Sequence, residues 1–183
     1  MNRKGPRSKG VTASTATLPA TAASVLDFDA LYRDARDDVF AYTATLLRDS
    51  AAAEDVTAQA FERAYKRRSR FDARRGTPRA WLFGIARNAA LDELRHRKRA
   101  AEAQVPQPRE APRPDEAAES AAERDAVRVA LARLPAKDRE VIALKFHADL
   151  SHAEIAEVLG VSPTNAGTLL HRAMTKLREA VDA

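Results

Sequence analysis

Four prolines, Pro106, Pro108, Pro112 and Pro114, divide this chain of 183 residues in two. Each removes a backbone donor and collides with the preceding helical turn, so no regular helix runs through them. The surrounding composition is Ala, Glu, Gln and Pro, and residues 99–122 read as a linker. About 24 residues of this kind reach roughly 27 Å as a flexible coil and up to about 74 Å in an extended polyproline form. The segments on either side therefore have no need to touch. Each of them shows apolar residues at steps of three and four, the mark of an amphipathic helix. The fold expected is all-α: two small helical domains, 25–98 and 123–183, joined by a Pro-rich flexible linker.

The first domain reads as three helices. Phe28, Leu31, Tyr32, Ala35, Val39, Tyr42 and Leu46 form one stripe, with Asp27 placed to cap its start. A second helix begins near Asp49 or Ser50, carries Val56, Ala60, Phe61, Ala64 and Tyr65, and ends in the basic run from Lys66 to Arg70. Thr77 and Pro78 then read as N-cap and first residue of a third helix reaching about Arg97, with Trp81, Leu82, Ile85, Ala89 and Leu94 as its apolar stripe. Gly84 within it costs about 1 kcal/mol relative to Ala, which points either to close packing or to simple tolerance.

The second domain opens with a helix over Val127, Ala130, Leu131 and Leu134, and Pro135 opens the next, with Val141, Ile142, Leu144 and Phe146. Ser151 and Glu154 then have the spacing of a capping box. A short helix with Ile155, Ala156, Val158 and Leu159 leads to Gly160, suited to a left-handed helix end, and Ser162 and Pro163 start another. This is the pattern of a helix-turn-helix, with small Ala156 at the crossing and Ile155, Leu159, Val161, Ala166 and Leu170 as the wedge. Thr164, Asn165, Thr168, His171 and Arg172 would then face base edges or phosphates, with Ser162 at the helix start. Two plainer roles stay open: Asn165 as a cap of its own helix, and Arg172 paired with a neighbouring carboxylate.

Charge sharpens the functional choice. Residues 25–98 carry 15 basic and 12 acidic side chains, residues 1–24 carry four basic and none acidic, and the net charge is +5. Such a basic excess suits either a polyanion partner or an ordinary solvated face. The tail, 1–24, is aperiodic and rich in Ser, Thr and Ala, and is expected to be disordered. Its Arg3, Lys4, Arg7 and Lys9 are not followed by a continuous apolar run, so export is not expected and the cytoplasm is. No Cys is present, which excludes disulfides, a thiol nucleophile and a thiolate metal site. His147, Asp149 and His152 straddle a helix break without a further obvious ligand, so neither a metal nor another cofactor is expected. No catalytic constellation is legible, and any catalysis belongs to a partner.

Five segments are long enough to suggest a family. AEDVTAQAFERAY at 53–65, WLFGIARNAALDELRHRKR at 81–99, LARLPAKDREVIALKF at 131–146, LSHAEIAEVLGVSP at 150–163 and LLHRAMTKLREA at 169–180 resemble regions 2 and 4 of the extracytoplasmic-function (ECF, group IV) RNA polymerase sigma factors. The resemblance implies a non-catalytic subunit that binds core polymerase, recognises the −35 and −10 promoter elements and assists melting. It implies docking on the beta-prime clamp through Glu54, Asp55, Gln59, Phe61 and Arg63, although Phe61 is equally a core candidate. It implies a −10 surface built from Arg79, Trp81, Arg87, Asn88, Arg95, Arg97 and Lys98, with Asn88 near a flipped-base pocket and Trp81 also readable as a core anchor. Region 4 is then the −35 reader, through Ser162, Thr164, Asn165, Thr168, His171 and Arg172, and the partner of the polymerase beta flap. Promoter elements about two helical turns apart lie roughly 70 Å from one another, within the extended reach of the linker.

The chain departs from the family pattern at two places. Thr57 and Ala58 stand where members often carry Val-Gln or Leu-Gln, which affects the exact docking set. Gly167 and Leu169 flank Thr168 where many members have basic residues, so fewer phosphate contacts and a shallower salt dependence follow. An anti-sigma protein is a common further partner in the family, and no residue here demonstrates one. The competing reading is a self-contained helix-turn-helix repressor or activator, whose first domain binds a ligand or dimerises. A purely structural or RNA-binding module is the third, and it predicts no promoter preference.

Overall fold

The computed structural model describes residues 26–103 and 120–182. The expected disordered tail and most of the expected linker lie outside them. Among the described residues there are seven α-helices and no strand: α1 (Phe28–Leu47), α2 (Ser50–Arg67), α3 (Pro78–Ala103), α4 (Ser120–Arg133), α5 (Ala136–Phe146), α6 (His152–Leu159) and α7 (Pro163–Val181). A single 3-10 turn over Arg68–Arg70 continues the basic end of α2.

The helix starts are where the side chains predict them. Asp27 accepts from the Ala30 amide at 3.0 Å, and Asp49 accepts from the Ala52 amide at 3.1 Å. Thr77 does the same for Ala80 at 3.2 Å, ahead of Pro78. Each cap satisfies an amide that the first turn leaves without an intrahelical partner. The far end of α3 differs from the sequence reading. It continues to Ala103, past Arg99 where the linker was expected to begin, because residues 99–103 are strong helix formers and the first proline comes only at 106.

In the first unit, α1, α2 and α3 pack on one another around Val39, Tyr42, Val56, Ala60, Leu82 and Phe83, all buried. The Tyr42 and Phe83 rings meet edge to face at 5.5 Å. Thr43 and Thr57, also buried, share a hydroxyl hydrogen bond of 3.1 Å between α1 and α2. In the second unit, α7 packs against α4, α5 and α6.

The two units do not stand apart. Helix α5 lies against α1, and α6 lies against α3. Sequence reasoning required no such contact, since a long tether permits separation without enforcing it.

Candidate nucleic-acid and polymerase interfaces

The helix-turn-helix is built as its residues dictate. Ser151 Oγ accepts from the Glu154 amide at 3.3 Å while the Glu154 carboxylate accepts from the Ser151 amide at 2.9 Å, a complete capping box. Gly160 closes α6 at φ 70°, a left-handed conformation that β-carbon crowding disfavours in other residues. Ser162 caps α7 through the Asn165 amide at 3.2 Å. Ile155, Ala156 and Ala166 are fully buried at the crossing, with Leu159, Val161 and Leu170 packed beside them.

This geometry leaves one face of α7 open. Thr164, Asn165, Thr168, His171 and Arg172 are all exposed, as is Ser162. Ser162, not Asn165, supplies the cap, and Arg172 forms no ion pair among the described residues. Both plainer roles left open by the sequence are therefore unfilled here.

The docking candidates lie on and beside a groove between α1 and α2. Glu54 and Phe61 line a cleft of about 370 Å³ together with Tyr32, Arg36, Asp37, Phe40, Thr57 and Ala58. Glu54 is exposed at its α2 edge, and Asp55 and Gln59 are exposed on α2 outside its lining. Phe61 is 5% exposed and packs its ring against Tyr32 at 4.8 Å and Phe28 at 6.4 Å, which makes it part of the core as well as the cleft floor. Arg63 is half-buried and bonded to Asp92 of α3 at 3.3 Å.

The α3 candidates separate into three groups. Asn88 is exposed, and with Trp81, Arg70, Phe71 and Arg75 it lines a cleft of about 430 Å³. Trp81 rests on Phe71 with ring centroids 5.5 Å apart, so it is both an anchor and a wall. A β-carbon at Gly84 would meet nothing within 4 Å, so close packing is not why glycine stands there; its open surface belongs to the same cleft. Toward the C-terminal end, Arg95 pairs with Asp92 at 2.8 Å, Arg97 with Glu93 at 2.7 Å and Asp49 at 3.1 Å, and Lys98 lies 3.8 Å from Glu102.

Arg79 and Arg87 are committed across the boundary between the units. Arg79 donates to the Ala148 carbonyl at 2.5 Å, the His147 carbonyl at 3.1 Å and Asp38 at 2.5 Å. Arg87 donates to Glu140 of α5 at 2.6 Å. Thr77 donates to Glu154 at 2.5 Å, and His147 Nε2 lies 3.2 Å from the Thr45 hydroxyl. Burial tends to raise the Glu154 pKa, but the hydrogen bonds from Thr77 and Ser151 and the charge of Arg79 outweigh it and hold the carboxyl below its ordinary value. Burial pushes His147 down, with Asp38 acting the other way. Sequence reasoning missed Asp38, Glu140 and Glu154 as partners of the basic surface, and Glu157 as a wall of the cleft beside Asn88. The one available signal was Glu140, an acidic residue directly beside the apolar run that starts at Val141.

An all-α chain with a helix-turn-helix in one unit and a cleft-bearing three-helix unit before it defines a multi-part DNA-binding protein. Comparison narrows the class. The family model described as sigma-70 region 2 matches residues 31–100, and the one described as sigma-70, region 4 matches residues 124–177. The chain is 33% identical over 162 residues to the ECF RNA polymerase sigma factor SigL of Mycobacterium tuberculosis, covering 87% of this chain and 91% of that relative. It is 27% identical over 157 residues to the ECF RNA polymerase sigma factor SigM of Bacillus subtilis, covering 84% of this chain and 94% of that relative. Among solved structures, the sigma factor RpoE in complex with the anti-sigma factor NepR from Bartonella quintana has a TM-score of 0.70 at 21% identity, over 86% of this chain and 98% of that one. CnrH in complex with the cytosolic domain of CnrY has a TM-score of 0.63 at 26% identity, over 85% of this chain and 87% of that one. The chain belongs to the ECF RNA polymerase sigma factors, the promoter-specificity subunits of that enzyme.

Proposed function

We propose the following division of labour for the chain as an initiation subunit. The α1–α2 groove docks on core RNA polymerase, with Glu54, Asp55 and Gln59 meeting basic residues at and beside its edge and the apolar floor at Phe61 receiving a side chain. The face of α3 around Asn88, Trp81, Arg79 and Arg87 captures the melted −10 strand, for which an open cleft ringed by Arg70 and Arg75 and floored by an aromatic is suited chemistry. The exposed face of α7 reads the −35 duplex. Arg95, Arg97 and Lys98 extend a basic track beyond the cleft. In this reading residues 25–98 and 123–183 are the working units, with 99–122 between them and 1–24 ahead. The subunit is non-catalytic and acts in the cytoplasm; among the described residues no helix is long and apolar enough to cross a membrane. An anti-sigma protein is a candidate regulator, as in the RpoE–NepR complex.

The observation that carries the proposal is the exposed base-reading face of α7 on the same chain as the acid-rimmed α1–α2 groove. A self-contained repressor needs the first and has no use for the second. The test is co-elution of the purified chain with core polymerase free of other sigma factors. A stoichiometric complex supports the reading, and failure with a folded chain and cognate polymerase favours the self-contained regulator.

A further inference from the structure

A cavity of about 390 Å³ lies outside the three proposed interfaces, where the corner joining α1 to α2 faces α4 and α5. Three arginines line it, Arg48 from the corner, Arg128 from α4 and Arg139 from α5, and Val129, Leu131 and Ala132 form an apolar wall. Among the described residues one acidic side chain lines it, and that one is committed: Asp49 caps α2 through the Ala52 amide and pairs with Arg97 at 3.1 Å. Arg48 and Arg139 form no ion pair among the described residues. Arg139 donates through a terminal nitrogen to the Leu134 carbonyl at 2.5 Å, while its Nε is buried without a partner. Burial and the nearby charge of Arg48 hold the Arg139 pKa below its ordinary value, as two guanidiniums sharing a cavity without a counter-ion require. Arg48 also closes α1 at φ 55°, a left-handed conformation that glycine adopts at less cost, so a large cation stands here against the backbone preference.

We propose that this cavity is a binding site for a small organic phosphate, with the phosphate group between Arg48 and Arg139 and the apolar body on Leu131 and Val129. An apolar wall with a few converging charged groups, at this volume, is the ordinary make-up of a small-ligand site. A guanidinium offers its donors in one plane and pairs them with phosphate oxygens two at a time. The orphaned Nε of Arg139 is a donor of that kind, and a buried donor left unpaired carries a desolvation cost that an anion would relieve. The first turn of α2 opens on the same cavity at Ser50, and the partial positive charge of a helix start favours an anion there. Phosphate suits the site better than carboxylate because two cations face each other. A phosphate monoester brings a charge of about −1.5 to −2 at pH 7, and a carboxylate brings only one negative charge.

The test is calorimetric titration of the full chain with phenyl phosphate, beside inorganic phosphate and benzoate. Phenyl phosphate is expected to bind once per chain and roughly tenfold more tightly than either comparison, since inorganic phosphate lacks the apolar body and benzoate the second charge. Arg48→Ala is expected to weaken it about tenfold without lowering the thermal midpoint of the unliganded chain, because the change also removes a repulsion. Arg139→Lys keeps the charge but not the planar pair of donors, and is expected to weaken binding about fivefold. Arg178→Ala, which removes an exposed charge of α7 outside the cavity, is expected to leave the affinity unchanged. Absence of saturable binding by phenyl phosphate overturns the site. So does an equal loss in Arg178→Ala, which would show diffuse attraction of an anion to a basic chain. Benzoate binding as tightly as phenyl phosphate overturns the choice of phosphate, and inorganic phosphate binding as tightly overturns the role of the apolar wall.

Discussion

Arg87 of α3 and Glu140 of α5 meet at 2.6 Å, with the glutamate 8% exposed, so a residue of the proposed −10 surface is neutralised by the unit proposed to read the other promoter element. A nearly buried carboxylate needs a partner, because desolvating a charge alone costs several kcal/mol. The pair therefore acts on both sides at once. It stabilises the contact between the units and occupies the Arg87 guanidinium. Arg79 does the same against the carbonyls of His147 and Ala148.

Asn88 is exposed on its cleft, so its role is separable from folding. Asn88→Ala is expected to leave polymerase co-elution unchanged and to reduce promoter opening, read by permanganate reactivity of the melted strand, at least tenfold, the scale of about 1.4 kcal/mol of lost base contact. Equal losses in both assays would remove Asn88 from strand capture.

Asp55 is exposed on α2, among the proposed docking residues, whereas Phe61 is buried at the base of the groove. Asp55→Arg is expected to weaken polymerase binding without shifting the thermal midpoint. Phe61→Ala is expected to cost about 3 kcal/mol of stability, since it removes a ring packed between Tyr32 and Phe28. Calorimetry beside a co-elution assay separates the two, and a Phe61→Ala chain of normal stability would contradict its place in the core.

Ser151→Ala removes the hydroxyl that accepts from the Glu154 amide. The expected loss is about 1 kcal/mol in urea unfolding. The same change frees Glu154 to swing away from Thr77, so it should also loosen the contact between the units. A midpoint unchanged from wild type would show that the capping box is idle.

His147 and Glu154 give the contact a pH dependence of known sign. Burial holds the folded-state pKa of His147 below 6.5, so its protonation opposes the folded form, and stability present above pH 6.5 declines as pH falls toward the lowered value. Glu154 is held below 4.5 by Thr77, Ser151 and Arg79 against the effect of burial, so its contribution is present above pH 4.5 and is lost as pH falls through the folded value. The urea midpoint is expected to drop in two stages on acidification. His147→Gln should abolish the upper stage and leave the lower one, and persistence of both stages would clear His147 of the effect.

Arg172 is exposed and unpaired within the described chain, so Arg172→Ala is expected to change stability by less than about 0.5 kcal/mol. If the guanidinium meets only phosphate, all −35 variants weaken alike and the salt slope falls by about one; selective weakening of one sequence shows base readout.

Local structure was legible in the residues themselves because its causes are local. Asp27, Asp49, Thr77, Ser151 and Ser162 cap the helices they precede through amides three residues away, and Gly160 takes the left-handed turn that no β-branched residue tolerates. The periodicity that put Val39, Tyr42, Phe61 and Ile155 inside is a property of single helices, and the helix-turn-helix is the sum of such signals. The family followed from those same segments. The contact between the units depends on pairs separated by 53, 69 and 77 positions: Arg87 with Glu140, Arg79 with Ala148, Thr77 with Glu154. Nothing in the spacing of those residues distinguishes a guanidinium destined for a phosphate from one held by a carboxylate. A proline-rich tether permits every separation up to its full reach, so only the packed tertiary structure decided which charges met and which face remained open.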